Sequence, residues 1–379
     1  MGAVVIGGGL AGLSAALTLQ EAGEEVELFE ASDGIGGRVR SDYVDGFILD
    51  RGFQLINSGY PEIKRLGVIP EIQFRKASRS VDVITQFGLT AIGDPRQHPF
   101  QALRSPLGSL REKLGVLTFL GEKAKAEKSL EDALLASGTG DFYRNLLRPF
   151  LRGVFLAEPD QVDSNYGREI LKSFIVGDSG LPSAGVGTLS EAIAARIENI
   201  HLSAEVKDLD QFQGRKVIVA TSDRVAARLL STSENRRHVD SYTWYHSLPA
   251  GIITSDRLRV SSAKSSLVNS VAISNVVPEY APADRTLISS TALSALSEAE
   301  VLEELSKFWR IAEDNFDLIA RYEIKQSLPL FAPMKLASAR SSKVADGVFQ
   351  AGDYLTAGSQ NGALLSGRLA AMELLLDKS

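Results

Sequence analysis

A four-residue apolar run, AVVI at residues 3 to 6, breaks at once into glycines spaced G-x-G-x-x-G, formed by Gly7, Gly9 and Gly12. No other feature restricts the fold so strongly. A run of that length reads as a parallel strand buried on both faces. The Ala- and Leu-rich stretch after it, closed by Gly23, reads as a helix, and EVELFE at residues 25 to 30 as a second strand. Strand, helix and strand make one right-handed crossover of about 30 residues. In such a unit Gly7 permits the tight turn, Gly9 lets the backbone approach a pyrophosphate, and Gly12 allows close helix–strand packing. The free N–H groups and dipole of the helix start, at Leu10 and Ala11, attract phosphate charge. Glu30 ends the second strand, where a carboxylate accepts from both ribose hydroxyls and repels a 2′-phosphate. The spacing predicts a bound dinucleotide and disfavours NADP. A turn that needs small residues only for packing is the competing reading.

Strand–helix alternation recurs in three separated pieces. VGTLSEAIAARIE reads as a helix opened by Thr188, with Glu191 completing a capping box, and HLSAEVKDL and GRKVIVAT as strands. GVFQAGDYL reads as a last buried strand and NGALLSGRLAAMELLLDKS as a last helix. The prediction is an α/β chain with a Rossmann-like dinucleotide-binding domain assembled from 1–60, 185–230 and 340–379. A mixed α+β substrate domain is inserted as 61–184 and 231–339. Within it, RSVDVITQFGLTAI reads as a hairpin turning near Gly88, SLREKLGVLTFLGEKAKAEKSLEDALLAS as helical, and DFYRNLLRPFLRGVFL as helical up to Pro149.

A chain of 379 residues suits two packed domains. With no cysteine, it has no thiolate nucleophile, dithiol or disulfide, so redox chemistry must rest on a bound cofactor. The four histidines lack metal-ligand spacing, and a net charge of −6 argues against nucleic-acid partners. No basic leader and no apolar stretch of about 20 residues is visible, so the expectation is a cytoplasmic protein with at most peripheral membrane contact.

A second glycine cluster, GIGGRV, distinguishes between cofactors. Gly36, Gly37 and Arg38 resemble the GG-R segment of the flavin-containing amine oxidase and phytoene desaturase superfamily, whose two-domain fold is shared with GDP-dissociation inhibitors. QAGDYLTAGSQNGALLSGRLAA resembles the superfamily's C-terminal flavin motif. The resemblance implies FAD. It places the glycines of GG-R against the cofactor, the guanidinium on the diphosphate, and Gly352, Asp353, Asn361, Gly362 and Ala363 near the flavin. A helix start there would stabilise the charge of reduced flavin. The strand around Val206 resembles the segment that reads adenine, and Gly52, Phe53 and Gln54 the segment passing the flavin ring.

The resemblance implies a FAD-dependent oxidoreductase acting on a small molecule, with oxygen or a quinone as candidate acceptor. No catalytic side chain is assigned, because hydride transfer to flavin needs mainly positioning. Phe150, Val154 and Phe155 are candidates for a substrate wall, with Trp244 and Tyr245 as further candidates. Lys325 reads as a solvated lysine. Amine oxidases of the family carry an aromatic residue just before the helix-start G-A, where this chain has Ser359, Gln360 and Asn361. The helix looks more like that of carotenoid desaturases and retinol-saturase-like proteins, which favours hydride transfer at carbon of an apolar, isoprenoid-like substrate. A flavin amine oxidase, a non-catalytic carrier and a flavin-dependent isomerase remain alternatives.

Overall fold

A computed structural model describes residues 2–94, 105–124, 126–233, 236–333 and 341–377. Strands β1 (Ala3–Ile6) and β2 (Val26–Phe29) flank helix α1 (Leu10–Glu21). Short strands β3 (Ser41–Val44), β4 (Phe47–Asp50) and β5 (Ile56–Asn57) lead to α2 (Pro61–Leu66), β6 (Phe74–Lys76), β7 (Ser80–Thr85) and β8 (Gly88–Gly93). Helices α3 (Leu110–Gly121), α4 (Leu130–Ala136), α5 (Arg148–Phe155) and α6 (Ser164–Val176) follow. Next come β9 (Ser179–Pro182), α7 (Gly187–Ala194), β10 (Ile200–His201), β11 (Val217–Val219) and α8 (Asp223–Leu229). The chain closes with β12 (His238–Pro249), β13 (Leu258–Ser261), β14 (Leu267–Ala272), β15 (Arg285–Ala292), α9 (Glu298–Trp309), β16 (Asp317–Pro329), β17 (Lys343–Ala345), β18 (Val348–Gln350) and α10 (Gln360–Leu376).

Two large sheets organise these elements. The first runs β10-β2-β1-β11-β18-β17 and is parallel except for the β17–β18 hairpin. Its central strands β1 and β11 are buried on both faces. Val5, Leu28 and Ile218 pack under α1, α7 and α10, while Val4, Ile6, Val217 and Val219 pack with Phe212, Ala226 and Leu229 on the other side. Burial on both faces is why these strands read as continuous apolar runs. The second sheet runs β16-β12-β15-β14-β13-β7-β8, antiparallel apart from the β7–β13 pair. Helix α9 covers one of its faces through Val301, Leu305 and Phe308, and α3 to α6 form a helical cap whose core includes Phe119, Tyr143, Leu151 and Phe155. This is the expected α/β fold, with a doubly covered parallel sheet beside a mixed second unit.

Several local expectations fail, each for a physical reason. The helix before Pro149 does not stop there: one π-turn, Tyr143–Leu147, carries the Arg148 N–H to the Tyr143 carbonyl. That widening accommodates the missing donor of Pro149, and α5 continues to Phe155. The capping box at Thr188 does not form, because α7 already starts at Gly187 and the Thr188 hydroxyl donates to the Gly185 carbonyl. Residues 202 to 209 are irregular rather than a strand, with β10 confined to Ile200–His201. The hairpin at β7–β8 is as expected, and Gly88 begins its second strand. Lys378 and Ser379, at the end of the expected last helix, lie outside the described residues.

Candidate functional site

The crossover β1–α1–β2 builds a cradle at the edge of a large cleft. A Cβ on Gly12 would lie 1.8 Å from the Gly7 carbonyl oxygen, so only glycine lets α1 approach the turn this closely. At Gly9 the same construction meets nothing within 4 Å; its free face opens into the cleft. The second glycine cluster is tied to the first. The Gly36 N–H donates to the Gly8 carbonyl at 2.7 Å, and Gly9 and Gly36 form a parallel bridge. Gly37 is held at φ +58°, with its Cβ position 3.4 Å from the Gly9 Cα. Glu30 fixes the loop from the side: its carboxylate accepts from the Gly8 N–H at 2.6 Å, the Ser32 N–H at 2.8 Å and the Ser32 hydroxyl at 2.7 Å.

Arg38 spans the cleft. Its Nη2 lies 2.8 Å from Oδ1 of the buried Asp353, and its Nη1 donates to the Ser327 carbonyl at the end of β16 at 2.6 Å. Gln54 donates from Nε2 to the Arg38 carbonyl at 2.7 Å. Ser359 caps α10 by accepting from the Gly362 N–H at 3.0 Å, which leaves Gln360 in the first turn beside Gln54.

The cleft has a volume of about 660 Å³, inside the range of roughly 300–1,000 Å³ usual for cofactor and ligand sites. Gly7, Gly9, Leu10 and Ala11 line one end with Glu30, Gly36, Gly37 and Arg38. Gly52, Phe53 and Gln54 line its middle together with Gly352, Asp353 and Ala363. Beyond them lies a chamber between the helical cap and the second sheet. Phe150, Val154 and Phe155 of α5 and Tyr166, Ile170 and Phe174 of α6 wall one side. Burial pushes the Tyr166 hydroxyl well above the ordinary tyrosine value, and that hydroxyl donates to the Gly358 carbonyl at 3.1 Å.

Not every residue singled out in the sequence borders this space. Gly12 serves packing. Asn361 turns away, its Oδ1 accepting from the Glu62 N–H at 3.1 Å to cap α2. Gly362 is enclosed in the first turn of α10, where a Cβ would lie 2.0 Å from the Ala357 carbonyl. Val206 lines the cleft, but from irregular chain. Trp244 and Tyr245 do not line it. Trp244 points into the core under α9, and Tyr245 lies beneath β4 with its hydroxyl on the Asp50 carbonyl. Lys325 sits at the rim, paired with Asp240 and Glu323, and these carboxylates raise it above the usual lysine range. Sequence reasoning passed over Tyr166, Phe174, Thr243, Asn269 and Thr291; the last three lie in strands without a regular alternation that would mark the face they share.

A dinucleotide fits the residues present. The glycine cradle offers free amides where a Cβ would occupy the cleft, Glu30 stands at the strand end, and Arg38 supplies a guanidinium midway. Among the described residues no group of three or more His, Asp or Glu could hold a metal ion, and no helix is long and apolar enough to cross a membrane.

Comparison with known proteins accords with this geometry. The model of the family described as flavin containing amine oxidoreductase matches residues 10–236. Protoporphyrinogen oxidase 2 of Arabidopsis thaliana is 28% identical over 177 residues, 43% of this chain and 34% of that protein. Polyamine oxidase 2 of the same plant is 46% identical over 71 residues, 17% of this chain and 14% of that protein. The 4,4′-diaponeurosporene oxygenase of Staphylococcus aureus (strain USA300) is 42% identical over 57 residues, 15% of this chain and 12% of that protein. These matches span about a third or less of the curated relatives' lengths. Among solved structures, an oxidoreductase from Methanosarcina mazei superposes with a TM-score of 0.76 at 18% identity, covering 99% of this chain and 100% of that one. Cyclohexylamine oxidase from Brevibacterium oxydans superposes with a TM-score of 0.71 at 16% identity, covering 98% of each chain.

Proposed function

Because the chain belongs to the flavin-containing amine oxidoreductase family, we propose that it is a FAD-dependent oxidoreductase taking or giving a hydride at carbon of an apolar small molecule. FAD, when bound, supplies a two-electron acceptor for that transfer. The chain's own residues do the rest. The amides at Gly9, Leu10 and Ala11 and the guanidinium of Arg38 bind phosphate charge, and Glu30 receives ribose hydroxyls. Gly52, Phe53 and Gln54 flank the ring, the start of α10 with Gly352, Asp353 and Ala363 faces its far end, and Val206 backs the adenine. Phe150, Phe155 and Phe174 orient the substrate and keep water out. We place the cofactor domain in 1–60, 185–230 and 340–379, and the substrate domain in 61–184 and 231–339.

The observation that carries the apolar reading is where the acids lie. The carboxylates lining the cleft are Glu30, Glu205 and Asp353. Glu30 holds the glycine loop, Asp353 pairs with Arg38, and Glu205 pairs with Arg228 at 3.5 Å. Among the described residues the chamber therefore offers no free carboxylate to a substrate cation. The match to a polyamine oxidase favours amine oxidation as the second reading. Purified protein should be yellow, with flavin released on denaturation. After anaerobic photoreduction it should reoxidise with oxygen or a quinone. Hydride transfer with a neutral isoprenoid supports the first reading, and turnover of spermidine with none of isoprenoids replaces it by the second. Colourless protein that cannot be reconstituted with FAD leaves a carrier, and turnover without net electron transfer an isomerase.

A further inference from the structure

The chamber wall opposite the phenylalanines is polar in one place. Thr243 of β12 pairs directly with Thr291 of β15, which in turn pairs with Asn269 of β14. Three adjacent strands thus put three polar side chains in one row on the face that borders the chamber. All three are almost fully buried, at 0%, 3% and 4% exposure for Thr243, Thr291 and Asn269. Thr243 Oγ1, Thr291 Oγ1 and Asn269 Oδ1 have no hydrogen-bond partner among the described residues. A buried polar atom left unpaired costs about 1–3 kcal/mol, and here three stand side by side. Their neighbours are committed elsewhere: the Ser241 hydroxyl donates to Ser327 Oγ at 2.9 Å, and the Tyr166 hydroxyl to Gly358. Gly153, in the middle of α5, packs directly against the row: a Cβ there would come within 2.8 Å of Asn269 Nδ2. A mid-helix glycine weakens α5, and its return is room for that amide.

From this row we infer that the substrate carries a neutral oxygen function, a hydroxyl or carbonyl, on an otherwise apolar body, and that Thr243, Thr291 and Asn269 receive it. The inference rests on the oxidoreductase reading above and narrows its substrate class. Neutrality follows from the charges at the cleft. Arg38, Arg51, Arg228 and Lys325 are each already paired with a carboxylate, so nothing in the row's vicinity compensates an ionised group. Each threonine hydroxyl can donate or accept by rotation about its Cβ–Oγ bond, so the row can present donors or acceptors.

The test titrates the FAD-loaded protein calorimetrically with 2-naphthol and with naphthalene, which differ only in a hydroxyl. The row predicts that 2-naphthol binds about tenfold more tightly. In Asn269→Leu and Thr291→Val the preference should fall to about twofold or less while flavin content stays unchanged. Thr291→Val, nearly isosteric, should melt no lower than the parent, since it removes an unpaired hydroxyl; a purely structural threonine would melt lower. Gly153→Ala, which crowds the Asn269 amide, should also reduce the preference. Equal affinity for the two probes in the parent, or an undiminished preference in the variants, overturns the inference while the flavin stays bound. Loss of flavin in the parent instead brings down the functional reading beneath it.

Discussion

Asp50, fully buried at the end of β4, accepts from the Ser41 hydroxyl at 2.6 Å, the Val186 N–H at 2.9 Å and the Tyr280 hydroxyl at 2.8 Å. Burial outweighs these donors and pushes its carboxyl up to about 6. His246, buried in β12 with neither ring nitrogen bonded among the described residues, is pushed by burial down to about 4. The two act in opposite directions on stability. A raised acid contributes most below its unfolded value near 3.8 and loses that contribution as pH rises through about 6. A depressed base contributes above 6.5 and loses its contribution as pH falls through about 4. Thermal melting between pH 4 and 6.5 should therefore respond oppositely to two substitutions. Asp50→Asn should make the protein relatively weaker at the acid end, and His246→Leu relatively stronger there. Parallel curves for both variants would remove these residues from the acid response. Glu30→Ala should lose FAD affinity by about 1–3 kcal/mol, read by equilibrium dialysis against free flavin. The structure adds that it also loosens the Gly8 and Ser32 amides, so the glycine loop should exchange amide protons faster.

Helices α1 and α10 touch at the backbone. Ala11, Gly367, Ala370 and Ala371 keep their interface thin, and a Cβ on Gly367 would sit 1.9 Å from the Ala11 carbonyl oxygen. Gly367→Ala should cost about 1–3 kcal/mol of stability through overpacking, measured by urea unfolding, and should weaken FAD retention because α1 carries the cradle. Legibility in the sequence follows the range of the interactions involved. The crossover was readable because glycine spacing, strand length and Glu30 all lie within 30 residues. The GG-R and G-D segments were readable as resemblance. The Thr188 cap and the stop at Pro149 were misread because a helix that begins two residues earlier, or a single wide turn, rewrites the local rule. Asn361 was misassigned because its partner, the Glu62 N–H, lies 299 residues away. The polar row was invisible for the same reason: it exists only through the register of β12, β15 and β14.

At the scale of the molecule, the two sheets meet across the cleft and Arg38 reaches both sides, to Asp353 beside the parallel sheet and to Ser327 on β16. Arg38→Lys keeps the charge but loses the forked geometry. It should bind FAD more weakly than the parent and melt lower, whereas a role confined to charge predicts no change. FAD at 100 times its Kd should raise stability by about 2.7 kcal/mol, seen as a concentration-dependent rise in Tm. The order of assembly has a consequence of its own. Strand β18 extends the sheet begun by β1 and helix α10 packs on α1, so one wall of the cleft is missing until the segment bearing Gly352, Asp353, Gln360 and Ala363 has been made. Flavin uptake must wait for that segment. A ribosome stalled before residue 360 should display a chain that takes up no flavin, however much is supplied.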